Sequence, residues 1–139
     1  MPHFQLDRFV AAQSDIYPEI QRQLASGHKR THWMWFVFPQ LRGLGRSQTA
    51  LHYGLDGPAE AVAYLAHPIL GPRLVECTTL VNHVQGKTAL QIFSSPDDIK
   101  FRSCMTLFAT LRPLPFETSL DRYYGGQKDP MTLEMLHAA

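Results

Sequence analysis

The sequence predicts an all-α fold, a single compact domain over residues 1–139, built from about seven or eight short helices in irregular packing. Three observations carry this. Apolar residues recur at helical spacing through most of the chain. Glycine and proline fall where helices would start or stop. No two segments alternate apolar and polar residues in a way that would let them pair as strands. A chain of 139 residues can bury roughly 68–70% of its unfolded surface, enough for an ordinary core.

Each element has its own signal. Leu6, Phe9, Val10 and Gln13 share one helix face. Tyr17, Ile20 and Leu24 share the next, which Gly27 should close as a C-terminal cap. Trp33 to Phe38 is short and aromatic enough for a strand, but with no partner strand it reads as a buried helix. Gly57-Pro58 opens a helix, with Pro58 at its first position. Ala59, Val62, Ala63 and Ala66 then form a stripe of small residues expected to pack closely. His67-Pro68 breaks the pattern. Leu70, Leu74, Cys77, Val81 and Val84 follow as a long apolar seam, its regular start delayed by Gly71-Pro72 and its end set by Gly86. Thr88 to Phe93 is one short helix. Ser95 should cap a helix beginning at Pro96, with Asp97 and Asp98 against its positive end. Phe101, Cys104, Met105, Phe108 and Leu111 supply the buried face of that helix, and Pro113 and Pro115 end it. Glu117 to Tyr124 and Pro130 to Ala138 make two more helices on either side of Gly125-Gly126.

Composition narrows the function. Hydrophobic residues make up 45% and charged residues 18%, which argues against disorder. The net charge of +1 supplies no field for nucleic acid or anionic lipid, so neither is an expected partner. The N-terminus has no signal pattern, and the longest apolar run, Trp33 to Phe38, is far below the ~20 residues that span a bilayer. Cys77 and Cys104 lie in apolar periodic segments and are expected to be buried free thiols in a cytoplasmic protein.

The densest signal is the run His32-Trp33-Met34-Trp35-Phe36-Val37-Phe38-Pro39-Gln40, which passes into Leu41-Arg42-Gly43-Leu44-Gly45-Arg46-Ser47. Two tryptophans two residues apart cannot both face inward from one helix. At least one should reach a surface or cavity, where an indole offers a flat face to a base or ring. Gly43, Gly45, Arg46 and Ser47 could form an anion nest: glycines admit close backbone approach, and the guanidinium forks to phosphate or carboxylate. The competing reading is a tight turn with Ser47 as a helix cap and Arg46 paired to a carboxylate such as Asp98. His32, Trp33, Trp35 and Gln40 are the residues from which at least one should reach the cavity walled by this loop. Asp98 and Lys100 are minor candidates. His28 and His32 share helical spacing but no third ligand follows, so no metal is expected, nor any cofactor. Cys104 reads as an inert core thiol, and no residue stands out as catalytic.

The stretch Gly27 to Ser47 resembles a small bacterial and fungal family catalogued as domain of unknown function 1810, whose members are sometimes labelled calpastatin. The resemblance continues in Glu60-Ala61 to Tyr64-Leu65, in His67 to Leu74, in Ser95 to Lys100 with Met105 to Phe108, and in Leu120 to Tyr124 with Asp129 and Thr132. It implies a single, mainly helical domain and no particular activity. The helix layout and polar spacing are also faintly similar to YbiA-like proteins, which are linked to N-glycoside and ADP-ribose chemistry. The glutamate-bearing motif of those proteins has no clear match here.

Two functions follow as expectations. One is a domain that binds a small nucleotide-like or ADP-ribose-like ligand and hydrolyses an N-glycosidic bond. The alternative is a non-enzymatic protein-interaction module.

Overall fold

A computed structural model of the chain describes residues 4–138. The first three residues, on which the reading of the N-terminus partly rests, lie outside them. Ten helices follow in order: α1 Asp7–Ser14, α2 Tyr17–Ala25, α3 Met34–Val37, α4 Gln48–His52, α5 Pro58–Ala66, α6 Leu70–Asn82, α7 Ala89–Phe93, α8 Asp97–Ala109, α9 Phe116–Tyr124 and α10 Pro130–Ala138. Three of the ten, α3, α4 and α7, are one-turn pieces of four or five residues. The described residues contain no β-strand, only a single parallel bridge between Leu41 and Leu55.

Helix α8 is the axis of the fold. Residues 103–109 are all buried, so the helix is enclosed on every side. Its buried hydroxyls bond back into the helix, Ser103 to the Ile99 carbonyl (3.2 Å) and Thr106 to that of Arg102 (2.8 Å). Helices α5, α7, α9 and α10 pack around α8, and α6 lies against α2, α5 and α9. A chain of edge-on rings, Phe93, Phe38 and Phe101, ties α7 and α8 to the end of the aromatic run.

Several boundaries sit where the sequence puts them. Gly27 is left-handed (φ 72°), and the His28 and Gly27 amides donate to the Gln23 and Leu24 carbonyls, a full Schellman closure of α2. Pro58 opens α5. Thr88 and Gln91 form a reciprocal capping box on α7. Trp33 to Phe38 contains a helical turn, not a strand.

Four expectations are corrected. Ser95 does not cap α8. The helix begins at Asp97, and the Asp98 amide donates to the Ser94 carbonyl (3.0 Å), so the backbone supplies the acceptor a serine hydroxyl would have given. The stripe Ala59, Val62, Ala63 and Ala66 is not the inner face of α5; Glu60, Ala61 and Tyr64 are buried instead. Glu60 can turn inward because the Arg8 guanidinium (3.2 Å) and the Asp56 amide (2.8 Å) satisfy its carboxylate. Gly71-Pro72 does not delay α6, which starts at Leu70. A Cβ on Gly71 would lie 2.1 Å from the Leu65 carbonyl oxygen, so glycine lets α6 start hard against the end of α5. Leu111 falls beyond α8 and is partly exposed. No described helix is long and apolar enough to cross a membrane.

Candidate functional site

The aromatic run is anchored from one side by Gln23. Its amide oxygen accepts from the Trp33 indole N–H (2.9 Å) and from the backbone of Arg30 (2.8 Å) and Thr31 (3.3 Å). Trp33 is thereby fixed in the core at 1% exposure. The geometry of one helical turn then sends Trp35 elsewhere. It is partly buried, and its indole N–H is shielded from solvent with no protein acceptor among the described residues. A buried donor left unmet costs ~1–3 kcal/mol, so this atom calls for a partner.

Trp35 lines a crevice with Gln40, Ala50, Tyr53, Gly54 and Lys100. The enclosed part is about 10 Å³, room for one water-sized group. Lys100 covers the indole, its ammonium 5.0 Å from the ring centroid. The same arrangement is repeated behind it, with the Lys29 ammonium 5.2 Å from the Trp33 ring. Asp97, in the first turn of α8, bridges the two lysines at 2.8 Å (Lys29) and 3.8 Å (Lys100). Lys29 is nearly buried and its contact is short; Lys100 is looser.

Of the residues singled out from the sequence, Trp35, Gln40 and Lys100 converge on this crevice, and Trp33 lies behind it. His32 is exposed and does not line it. Gly43 is left-handed (φ 106°). Gly45 abuts the crevice wall: a Cβ there would lie 2.7 Å from that of Ala50 and 3.4 Å from the Gln40 amide. Ser47 caps α4 by accepting from the Ala50 amide (3.1 Å). Arg46 is exposed, with no ion pair or side-chain hydrogen bond among the described residues. It does not pair with Asp98, whose carbonyl accepts from the Tyr124 hydroxyl and whose Oδ1 is buried without a partner. Asp98 and Lys100 are two residues apart on α8, so their side chains leave different faces.

A second, larger cleft of about 350 Å³ lies alongside, lined by Arg8, Arg42, His52, Asp56 and Glu60 among others. Its charges were not evident from sequence, because Arg8 and Glu60 are 52 residues apart and each reads as an ordinary surface position. The Leu41–Leu55 bridge explains the assembly. Leu41 and Leu55 point into the core, and the residues that follow them, Arg42 and Asp56, meet outside at 3.0 Å.

No group of three or more His, Cys, Asp or Glu residues suited to a metal occurs among the described residues. Burial pushes the Cys77 thiol up to about 12 and that of Cys104 well above its ordinary value, so both are inert free thiols at neutral pH. Burial likewise raises Tyr124, beside α8.

No curated protein matches the chain. The crystal structure of the conserved hypothetical protein Rv1873 from Mycobacterium tuberculosis matches it with a TM-score of 0.95 at 51% identity, over 98% of this chain and 99% of that one. The family described as protein of unknown function (DUF1810) matches residues 3–136, and this chain belongs to it.

Proposed function

We propose that the domain binds a small nucleotide-like or ADP-ribose-like ligand, with its ring at the mouth of the crevice beside Trp35. The carrying observation is the partly buried Trp35 indole, whose shielded N–H has no protein acceptor among the described residues and over whose ring the Lys100 ammonium lies. A ring entering there must move Lys100, which gives up its place over the indole and a 3.8 Å contact to Asp97. An anionic ligand compensates by keeping that ammonium paired outside the ring. Gln40 adds an amide to the wall, able to both donate and accept. In the enzymatic form of this reading, water cleaves the N-glycosidic bond of the ligand, leaving a free base and a sugar hydroxyl.

Thermal-shift titration tests this. ADP-ribose at 100 times its dissociation constant should stabilise the fold by roughly 2.7 kcal/mol. Trp35→Phe and Lys100→Ala should each remove the shift. Chromatography of the incubated ligand then separates binding from hydrolysis. No shift with nucleotides or ADP-ribose would reject the reading.

A second reading, a protein-interaction module, draws on an apolar groove of about 430 Å³ lined by Val62, Leu65, Ala66 and Leu111. Val62 is half exposed there although it belongs to an apolar stripe of α5.

A further inference from the structure

We infer that the cleft beside the crevice is an oxyanion site, built by Arg8 and Arg42 for a phosphate or diphosphate group. Both guanidiniums converge on one atom. The Gly54 carbonyl oxygen accepts from Arg8 Nη2 at 3.1 Å and from Arg42 Nη2 at 2.8 Å. Two cationic planes are therefore held side by side at a cleft of about 350 Å³, a size suited to a small ligand.

The two arginines are neutralised differently. Glu60, 2% exposed, is locked to Arg8 at 3.2 Å and to the Asp56 amide at 2.8 Å. Arg8 also donates to the His52 carbonyl (2.9 Å) and the Gln5 carbonyl (2.7 Å), so it is a fixed wall. Arg42 is 40% exposed, and its carboxylate partner Asp56 is 61% exposed with a single contact at 3.0 Å. An exposed pair of this kind is weakly held. Arg42 Nε and Nη1 donate no hydrogen bond among the described residues and Nη2 donates only to the Gly54 carbonyl, which leaves a fork for a planar or tetrahedral oxyanion. Asp56 is then an internal stand-in that a ligand oxyanion displaces. With Asp56 turned out to solvent, the cleft carries two guanidiniums against Glu60 alone.

Gly54 joins this cleft to the crevice. It lines the crevice, while its carbonyl gathers the two arginines. A Cβ on Gly54 would lie 2.7 Å from Arg42 Cα and Cβ, so only glycine keeps the partition this thin. A ligand with its ring at Trp35 would reach Arg42 through its phosphates. This last step rests on the ring-binding reading; the oxyanion site does not.

Calorimetric titration of the full chain with inorganic pyrophosphate, adenosine and ADP-ribose tests the inference. Pyrophosphate should bind the wild type. Arg42→Ala should weaken it at least tenfold, and Asp56→Asn should tighten it several-fold by removing the competing carboxylate. Trp35→Phe should leave pyrophosphate binding unchanged while weakening adenosine and ADP-ribose. Pyrophosphate binding that is absent from both wild type and Asp56→Asn, or equal in wild type and Arg42→Ala, overturns the oxyanion site. A wild type that shows the pyrophosphate pattern but does not bind adenosine, or adenosine binding unchanged by Trp35→Phe, sinks the ring-binding reading and leaves the oxyanion site standing. Because Asp56→Asn is read as a gain, misfolding cannot mimic its expected result.

Discussion

Replacing Gln23 by Leu should cost about 2–3 kcal/mol, and nearly all of that should come from one atom. Gln23 is 3% exposed and spends five hydrogen bonds. Four of them involve Glu19, Arg30 and Thr31, surface residues whose bonding groups are only part-buried, so their loss costs less. The fifth is to the Trp33 indole, buried at 1% exposure. Leucine fills the same space but accepts nothing, which strands that donor in the core at a cost of ~1–3 kcal/mol. For a domain of this length, the melting temperature should fall by about 5–12 °C. Urea denaturation followed by tryptophan fluorescence measures the loss. A cycle with Trp33→Phe isolates it: once the indole N–H is gone, Gln23→Leu should lose most of its effect. Equal destabilisation by Gln23→Leu in the wild type and in the Trp33→Phe background would refute the reasoning.

Three further outcomes follow from the geometry. Thr88→Ala should destabilise by about 1 kcal/mol through loss of the capping box, whereas Ser95→Ala should stay within about 0.5 kcal/mol; denaturant midpoints reversing this order would contradict the assigned caps. Gly71→Ala should cost about 3 kcal/mol, the upper end for overpacking, because its methyl would sit 2.1 Å from the Leu65 carbonyl and a backbone must move; a melting temperature near wild type would show that α5 and α6 do not approach so closely. The thiols of Cys77 and Cys104 and the hydroxyls of Tyr17, Tyr64 and Tyr124 are all raised by burial, so the stability they contribute is full below the unfolded thiol value of about 8.5 and is lost as pH rises towards 12. Melting temperatures measured from pH 7 to 11 should therefore be flat at first and fall above about pH 9; a flat profile to pH 11 would be inconsistent with these groups being neutral in the core.

What the sequence made legible was local. Gly27, Pro58 and Thr88 act on the residues beside them, and their helix ends come out where those signals lie. The seam on α6 was readable from Leu70 to Val81 because one helical period decides which residues turn inward, although α6 ends at Asn82, short of Val84 and Gly86. What stayed hidden was decided by distant partners. Glu60 displaces an apolar stripe from the inner face of α5 only because Arg8, 52 residues earlier, meets its carboxylate. Ser95 loses its capping role to a backbone carbonyl, which no residue type announces. The same divide runs through the candidate site. That the two tryptophans must part ways follows from their spacing, and Trp35 and Gln40 do meet at a crevice. That Lys100 covers Trp35 follows from the packing of α8 against α3's flank, and that Arg42 shares an oxygen with Arg8 follows from a bridge of one residue pair. Neither has a trace in local sequence.

The indole N–H of Trp35 is the atom on which the proposed function turns, and nitrogen-15 correlation spectroscopy observes it directly. Two tryptophans give two indole cross-peaks, and Trp35→Phe assigns them. On titration with ADP-ribose, the Trp35 peak should shift progressively as its donor gains an acceptor, while the Trp33 peak, already bonded to Gln23, should hold its position. A Trp35 peak that stays still at saturating ligand would contradict the account.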